Sequence, residues 1–448
     1  MWVMLCYILP IPFDFGRQHL TTPFWYNAAL ALIKPLYQWR IQKRAEDHQQ
    51  YQQECLERFG PFQPVKNLNA LWFHVVSVGE TNAAQPLIEH YLKMGHPVLV
   101  TNTTKTGQAR AKSLFLKAPY ESLFQAVYLP ADQKKLVRTF IQKYQPKILA
   151  LVETELWPNL IDQAQKLNIP RLLLNARLSE KSARGYGKVP SLTRPMLQGL
   201  NQLLAQDQAA LSRFLALGAA PATSQVVGSI KFDIHAPEYF IAQAAQLKQE
   251  WALTGRKIIT IASTHAPEEQ KILSALKPFL QQHPALLCIV VPRHPERFDE
   301  VFAEAQKLNL QTQRRSLSQP IQADTQVYLA DSMGELWLWL ALSHACFVGG
   351  SLNEPGGGHN ILEPIALNVP TVLGKNYFNF QTIVDEFVAA NAVAVVQDAE
   401  QAVQVLFTLI QDAEKANALN TAAQQIMQKN TGSLHKHIQV IDQYLERK

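Results

Sequence analysis

From about residue 70 onward, short apolar, β-branched runs alternate with stretches whose apolar residues recur every three to four positions. LWFHVVSV, HPVLVTN, AVYLP, KILALVETE, PRLLLNA and QLLAQ come first, and SQVVGS, KIITIAST, LLCIVVPRH, TQVYLA, HACFVGGS and VPTVLG follow after about residue 225. Apolar strands separated by helix-period segments are the pattern of βα units on a parallel sheet. The predicted fold class is therefore α/β, with two doubly wound, Rossmann-like domains. The rhythm lapses in IKFDIHAPEYF, residues 230–240, where Pro237 interrupts, and this stretch is the expected hinge. Two such sheets facing one another would line a cleft with the carboxyl ends of their strands, so functional residues should follow strand ends.

The chain has 448 residues, about twice what one hydrophobic core supports, which agrees with two domains. The predicted division is a membrane anchor over residues 1–45, domains over 46–235 and 236–430, and a terminal helix, 431–448, packing back on the first domain. At 47% apolar and 17% charged the composition is that of an ordered globular protein. Cys6, Cys55, Cys288 and Cys346 are far apart and form no Cys-x-x-Cys pair, which argues against a zinc site or a disulfide framework. The net charge of +6 suits an anionic partner. No interleaving of aromatic and basic residues points to nucleic acid.

The amino terminus departs from this rhythm. MWVMLCYILPIPF and PFWYNAALALIKPLYQW are apolar and aromatic, interrupted mainly by Arg17 and Lys34, and WRIQKR follows. Neither run reaches the ~20 uninterrupted apolar residues of a spanning helix. The expectation is an anchor, spanning or interfacial, at the inner membrane, with Arg40, Lys43 and Arg44 on the cytoplasmic side. The first 22 residues read as an extension ahead of it.

Three stretches of the first half carry chemistry. In HVVSVGET the strand should end near Val78, Gly79 should permit a sharp turn, and Glu80 should open a helix, at whose positive end its carboxylate would stay ionised. Acidic residues are common in any first helical turn, so position alone does not make Glu80 a base. ALVETELWPNL ends a strand in Glu153 and Glu155, which strict alternation would put on one face. In NARLSEKSARGY, Arg177, Lys181 and Arg184 would share one face of a helix, either gripping phosphate or simply solvated.

In the second half CFVGGSLNEPGGGHNILEP is the most informative run. Its glycines would let backbone amides approach an anion, and Glu363, one turn beyond Asn360, could accept from ribose hydroxyls. It is neither a dinucleotide fingerprint nor a P-loop. Ser263, Thr264 and His265 in ASTHAPEE, Arg293 and His294 in VVPRHPERF, and Ser332 to Glu335 in DSMGEL stand at further strand ends. Arg293 is the expected phosphate partner, being a fork-shaped donor.

In order along residues 35–390, HVVSVGE, ETELWPN, NARLSEKSARGY, KFD, ASTH, PRHPERF, MGEL, FVGGSL, GGHN with LEP, and NYFNF together resemble the 3-deoxy-D-manno-octulosonic acid (Kdo) transferases of lipopolysaccharide synthesis. The resemblance implies a GT-B glycosyltransferase with an amino-terminal membrane anchor, moving Kdo from CMP-Kdo to lipid IVA, the lipid A precursor, with inversion. Glu80 would be the general base. Ser77, Gly79, Glu153, Arg177, Lys181, Arg184 and Lys231 would lie about the acceptor or the reacting sugar. CMP would be held by Ser263, Thr264, Arg293, His294, Met333, Gly334, Glu335, Gly349, Gly350, Ser351, Asn360 and Glu363. The loop NEPGGGHN is one residue longer than the family pattern.

CMP leaves readily if its phosphate meets positive charge, so a general acid is dispensable. No Asp-x-Asp occurs in the chain, so no metal and no other cofactor is expected. The expected partners are CMP-Kdo, lipid IVA and inner-membrane lipids. Two other readings stay open at this point: another sugar-nucleotide enzyme on the same scaffold, a heptosyltransferase or an epimerase, or a membrane-bound lipid-binding scaffold without catalysis.

Overall fold

The computed structural model describes residues 22–446. The chain divides into two compact units, the first ending at Asp233 and resuming at Thr431, the second running from Ile234 to Asn430.

The first unit holds a seven-stranded sheet: β1 (Leu71–His74), β2 (Val98–Asn102), β3 (Phe124–Tyr128), β4 (Ile148–Val152), β5 (Arg171–Ala176), β6 (Gln202–Ala205) and β7 (Ser224–Val226). Every pairing is parallel, in the order β3-β2-β1-β4-β5-β6-β7. The strands are apolar throughout because both faces are covered. Trp72, Leu99, Leu149, Leu151, Leu173 and Leu203 enter the core on one face. Their alternating neighbours Leu71, Phe73, Val98, Val100, Ile148, Ala150, Leu172 and Leu204 enter the core on the other. SQVVGS thus closes the first sheet as β7 instead of opening the second.

The helix Ser433–Leu445 lies on the second of these faces through Val440 and Ile441, and Tyr91 Oη donates to Asp442 Oδ1 at 2.9 Å. Truncating Ile441, which is fully buried, to alanine would cost about 2–5 kcal/mol. A buried polar network fixes the same helix. Asp233 accepts from the amides of Gly432 and Leu434, both at 2.6 Å, and His437 Nε2 accepts from Asn175 N at 2.9 Å.

The helix Phe24–Arg44 is bound to this unit by Tyr26 Oη, which donates to the buried Asp132 at 2.8 Å, and by an Asn159–Asn27 hydrogen bond of 3.0 Å. The next helix, His48–Phe59, is held by buried Arg58, which pairs with Glu54 at 2.7 Å and lies 4.4 Å from the Tyr128 ring centroid. No helix among the described residues is long and apolar enough to cross a membrane. Lys34, Pro35, Arg40, Lys43 and Arg44 interrupt Phe24–Arg44, so the spanning form of the expected anchor does not hold there. Residues 1–21 of the expected anchor lie outside the described residues.

The second unit repeats the plan with β8 (Lys257–Thr264), β9 (Leu286–Pro292), β10 (Thr312–Arg314), β11 (Val327–Leu329), β12 (Ala345–Val348), β13 (Thr371–Gly374) and β14 (Ala394–Val396). The order is β10-β11-β9-β8-β12-β13-β14, again all parallel. β10 and β14, three residues each, stand at the two edges of this sheet and are absent from the predicted strands, although the equally short β7 and β11 are among them. Pro237 caps the helix Glu238–Glu250.

Both strand orders reverse direction once, between β1 and β4 and between β8 and β12. The loops beyond the carboxyl ends of such neighbours diverge and leave room for a ligand. Glu80, Glu153, Gly349 to Ser351, Asn360 and Glu363 follow these switch-point strands, while Arg177, Lys231, Arg293 and Glu335 follow β5, β7, β9 and β11.

Candidate active site

In the first unit β1 stops at His74, short of the predicted Val78, and the helix Val78–Lys93 begins four residues later with Ser77 as its N-cap. Ser77 Oγ accepts from Glu80 N at 3.3 Å, and Glu80 reaches back so that Oε2 accepts from Val76 N at 2.7 Å. This is a capping-box arrangement, with the carboxylate folded over the helix start. Gly79 is in the helix itself and not in a sharp turn: its backbone is ordinary, and a Cβ there would meet Ser77 Oγ at an unstrained 3.7 Å.

The expectation that Glu80 stays ionised is overturned. Burial pushes its pKa up to about 8, helped by the charges of Glu155 and Glu153, against the lowering hydrogen bonds from Val76 and Ser77. The helix end is present, but the dipole is outweighed by two carboxylates in a poorly solvated place.

Glu153 and Glu155 do not continue the strand. β4 ends at Val152 and Glu153 turns into the left-handed region at φ +62°, so alternation no longer applies and the two carboxylates take different partners. Glu153 Oε1 lies 3.0 Å from Lys231 Nζ, an ion pair that joins two residues expected near the reacting sugar. Glu155 accepts from Trp157 Nε1 at 3.0 Å and lies 3.6 Å from Nε2 of fully buried His74. His74 was not singled out from sequence, since a histidine inside an apolar strand carries no signal until the fold brings β4 beside β1.

Arg177 is not on a helix with Lys181 and Arg184. The helix is Glu180–Gly187, capped by Ser179, so Arg177 belongs to the loop leaving β5. Arg184 pairs with Glu180 at 3.3 Å on the surface, while Arg177 and Lys181 are exposed and make no ion pair among the described residues.

In the second unit the glycine-rich loop does something other than expected. Glu268, 1% exposed at the start of the helix Glu268–Gln282, accepts from the amides of His265, Gly350, Ser351 and Leu352 at 3.0, 2.7, 2.9 and 2.8 Å. The anion that these amides cradle is the protein's own carboxylate. Ser351 is consumed as well, its Oγ donating to Val348 O at 2.7 Å and accepting from Gly374 N at 2.8 Å. The amides of Gly357 and Gly358 bond Asn376 O and Gly350 O at 3.0 and 2.7 Å. The glycines are required by close packing: a Cβ at Gly349 would fall 2.7 Å from Thr264 Cα, and one at Gly357, where φ is +128°, 2.2 Å from Asn379 Nδ2. Glu268 was overlooked because an acidic residue opening a helix looks ordinary in sequence.

The groups left to meet a ligand are side chains. Arg293, exposed directly after β9, has no ion-pair partner among the described residues. Its charge acts on Glu363, whose pKa burial pushes up to about 7 against the pull of Arg293. Asn360 Oδ1 accepts from Leu362 N at 3.1 Å and braces the turn carrying Glu363. Beside them three imidazoles gather: His265 and His359 stack with Nε2 atoms 2.7 Å apart, and His294 meets His265 edge-on at 4.9 Å between centroids.

Ser263 adopts φ +55° and Thr264 is buried, so both shape the strand end more than they offer hydroxyls to solvent. Gly334, at φ +87°, turns the chain between exposed Met333 and Glu335. Glu335 is already engaged with Arg315, at 2.7 and 3.0 Å, and with Ser332, and these partners hold its pKa below the usual range despite partial burial. No group of three potential ligand side chains able to hold a metal ion occurs among the described residues.

Two parallel-sheet α/β units, each with polar residues beyond its switch-point strands, are the plan of the GT-B fold. Comparison with known proteins agrees and goes further. Residues 53–234 match the family model described as 3-Deoxy-D-manno-octulosonic-acid transferase (kdotransferase), and residues 245–426 match Glycosyl transferases group 1. The 3-deoxy-D-manno-octulosonic acid transferase of Haemophilus influenzae is 35% identical over 95% of this chain and 99% of its own. A putative UDP-N-acetylglucosamine 2-epimerase from Listeria monocytogenes shares the fold alone, with TM-score 0.53 and 13% identity over 85% of this chain and 98% of that one. The solved C-terminal CMP-Kdo binding domain of WaaA from Acinetobacter baumannii is 64% identical, covering 43% of this chain and all of that domain, with TM-score 0.43. The chain belongs to the 3-deoxy-D-manno-octulosonic acid transferase family.

Proposed function

We propose that this chain transfers Kdo from CMP-Kdo to lipid IVA with inversion at the anomeric carbon, and that Glu80 removes the proton from the accepting sugar hydroxyl. The observation that carries the reading is the Glu80 carboxyl itself. It is anchored on Val76 N and Ser77, and burial and the two neighbouring glutamates raise its pKa to about 8. A carboxylate of that basicity is a far better proton acceptor than an ordinary one, at the cost of being mostly protonated at neutral pH. Glu153, charge-balanced by Lys231, would lie beside the reacting sugar.

The second unit would hold the donor nucleotide. Unpaired Arg293 is suited to the phosphate, and Glu363 to the ribose hydroxyls. The departing CMP needs positive charge more than a proton, so neither a general acid nor a metal is required by this reading.

The helix Phe24–Arg44 supports membrane contact of an interfacial kind. Trp25, Leu32, Leu36 and Trp39, all exposed, recur at helical spacing along one stripe, and Arg40 and Lys43 follow. An amphipathic surface of this sort lies in the headgroup region.

Purified full-length protein in detergent, given CMP-Kdo and lipid IVA with EDTA present, should yield acceptor heavier by whole Kdo units. Glu80→Ala should reduce the rate by roughly 100-fold or more. Transfer by the variant at the wild-type rate would remove Glu80 from the role of base, and loss of wild-type transfer in EDTA would show a metal requirement.

A further inference from the structure

The second unit contains a pair of imidazoles that the reading above does not use. His265 Nε2 and His359 Nε2 are 2.7 Å apart, with the rings stacked at 11°. Two nitrogens this close must hold one hydrogen between them, because two lone pairs or two N–H groups would repel. The contact is built in: a Cβ on Gly350 would fall 2.9 Å from His359 Cδ2 and 3.4 Å from His265 Cδ2, so only glycine lets the strand end pass the pair.

The charged groups facing the pair are Arg293 and Arg297 on the positive side and Glu268 and Glu269 on the negative, with the His294 ring edge-on to His265 and 3.6 Å from Glu296. Both carboxylates are already spent. Glu268 is saturated by four backbone amides, and Glu269 is 2.7 Å from Arg297. Arg293 makes no ion pair among the described residues, and Glu363, whose pKa burial raises to about 7, is only partly ionised beside it. Arg297 is held by Glu269 and Glu300, and burial together with Arg293 and the neighbouring imidazoles lowers the pKa of His359 to about 4 and keeps it uncharged. An arriving anion would reverse that balance.

We propose that the His265–His359 pair takes up one proton when the phosphate of a cytidine nucleotide settles beside Arg293, so that the leaving phosphate meets an imidazolium as well as a guanidinium. The inference rests on the second unit being the nucleotide-binding one. In the neutral pair one ring donates its Nε2–H, the other accepts and carries its proton on Nδ1, and the donor's Nδ1 is bare. The added proton comes from solvent and binds that Nδ1. No other bond forms or breaks. The charge of the two histidines follows the ligand.

Calorimetric titration of the full chain with CMP at pH 7, in buffers of different ionisation enthalpy, reads the protons exchanged on binding. Wild type should show net uptake. His359→Gln and His265→Asn should bind CMP about tenfold more weakly and lose that uptake, as expected for one lost charge-assisted contact. The phosphate of CMP, with a second pKa of about 6, is already mostly ionised at pH 7, so its own proton exchange is small beside that of the pair. CMP binding by wild type without uptake, or uptake unchanged in both variants, overturns the inference and leaves the nucleotide site standing. No CMP binding by wild type at all overturns the nucleotide reading with it.

Discussion

Lys231 Nζ lies 3.0 Å from Glu153 Oε1, so the 3-10 turn after β7 supplies the counter-charge for a carboxylate held at positive φ beyond β4. Glu153 in turn helps to raise the pKa of Glu80. Removing the ammonium leaves Glu153 half-buried and unpaired. Lys231→Met should therefore destabilise the fold by about 1–2 kcal/mol. It should also move the acid limb of the pH–rate profile upward, because the uncompensated charge of Glu153 then acts on Glu80. Urea unfolding and a kcat/KM profile test both effects, and a limb that stays in place would show that the pair does not bear on the base.

Glu155 should have the opposite influence. Its charge is the largest electrostatic contribution raising Glu80, after burial. Glu155→Gln should shift the acid limb, expected near pH 8 in wild type, to lower pH by about one unit, with kcat at high pH little changed. A proportional loss of rate at all pH values would mean that Glu155 acts on substrate instead.

Glu80 itself should be a stability liability. Its folded pKa, about 8, is above the ordinary carboxylate value near 4.5, so the favourable neutral form is complete below pH 4.5 and its advantage is lost as pH rises through 8. Glu80→Gln keeps a neutral isostere at every pH. The variant should match wild type at pH 5 and be more stable at pH 8.5 by about 1–2 kcal/mol, discounted for partial exposure. Thermal melts at the two pH values decide it, and equal stability at both would contradict the raised pKa.

His437 should make the first unit sensitive to acid. Burial lowers its pKa to about 4, and its neutral ring accepts from Asn175 N at 2.9 Å while Nδ1 donates to Ser433 O at 2.7 Å. The folded pKa is below the unfolded value near 6.5, so this stability is present above pH 6.5 and lost as pH falls through 4. His437→Gln should weaken the pH dependence in that window by about 2–3 kcal/mol, read from urea midpoints. His359 titrates in the same window, so a His359→Gln control separates the two.

Glu268→Gln should loosen the glycine loop. The carboxylate serves four amides, and an amide side chain can offer only one oxygen while turning an N–H toward other N–H groups. Hydrogen exchange at Gly350, Ser351 and Leu352 should accelerate by about 100-fold, a loss of roughly 3 kcal/mol of local protection. Unchanged protection would mean that the loop is held by its glycine packing alone.

Much of this protein is legible in its sequence because its dominant physics is local. Parallel strands buried on both faces must be apolar along their whole length, so most of the strands, the α/β class and the loops that follow strand ends could be read directly. The ordered run from HVVSVGE to NYFNF was enough to point to the Kdo transferase family, which the comparisons then established. The edge strand β10, TQR, is polar and offers no apolar run to read, and the membership of β7 in the first sheet depends on pairing, which no single segment encodes.

What the tertiary structure alone decided is charge state and availability. Glu80 sits at a helix start as its sequence implies, yet it is largely protonated because the fold brings Glu153 and Glu155 toward it and removes water. The glycine loop has the composition of an anion cradle, yet Glu268, more than eighty positions earlier, already fills it. The His265–His359 contact joins residues ninety-four positions apart. A sequence names the groups that can carry charge. Which of them remain free to meet a ligand depends on desolvation and on neighbours distant in the chain, and both arise only when the chain has folded.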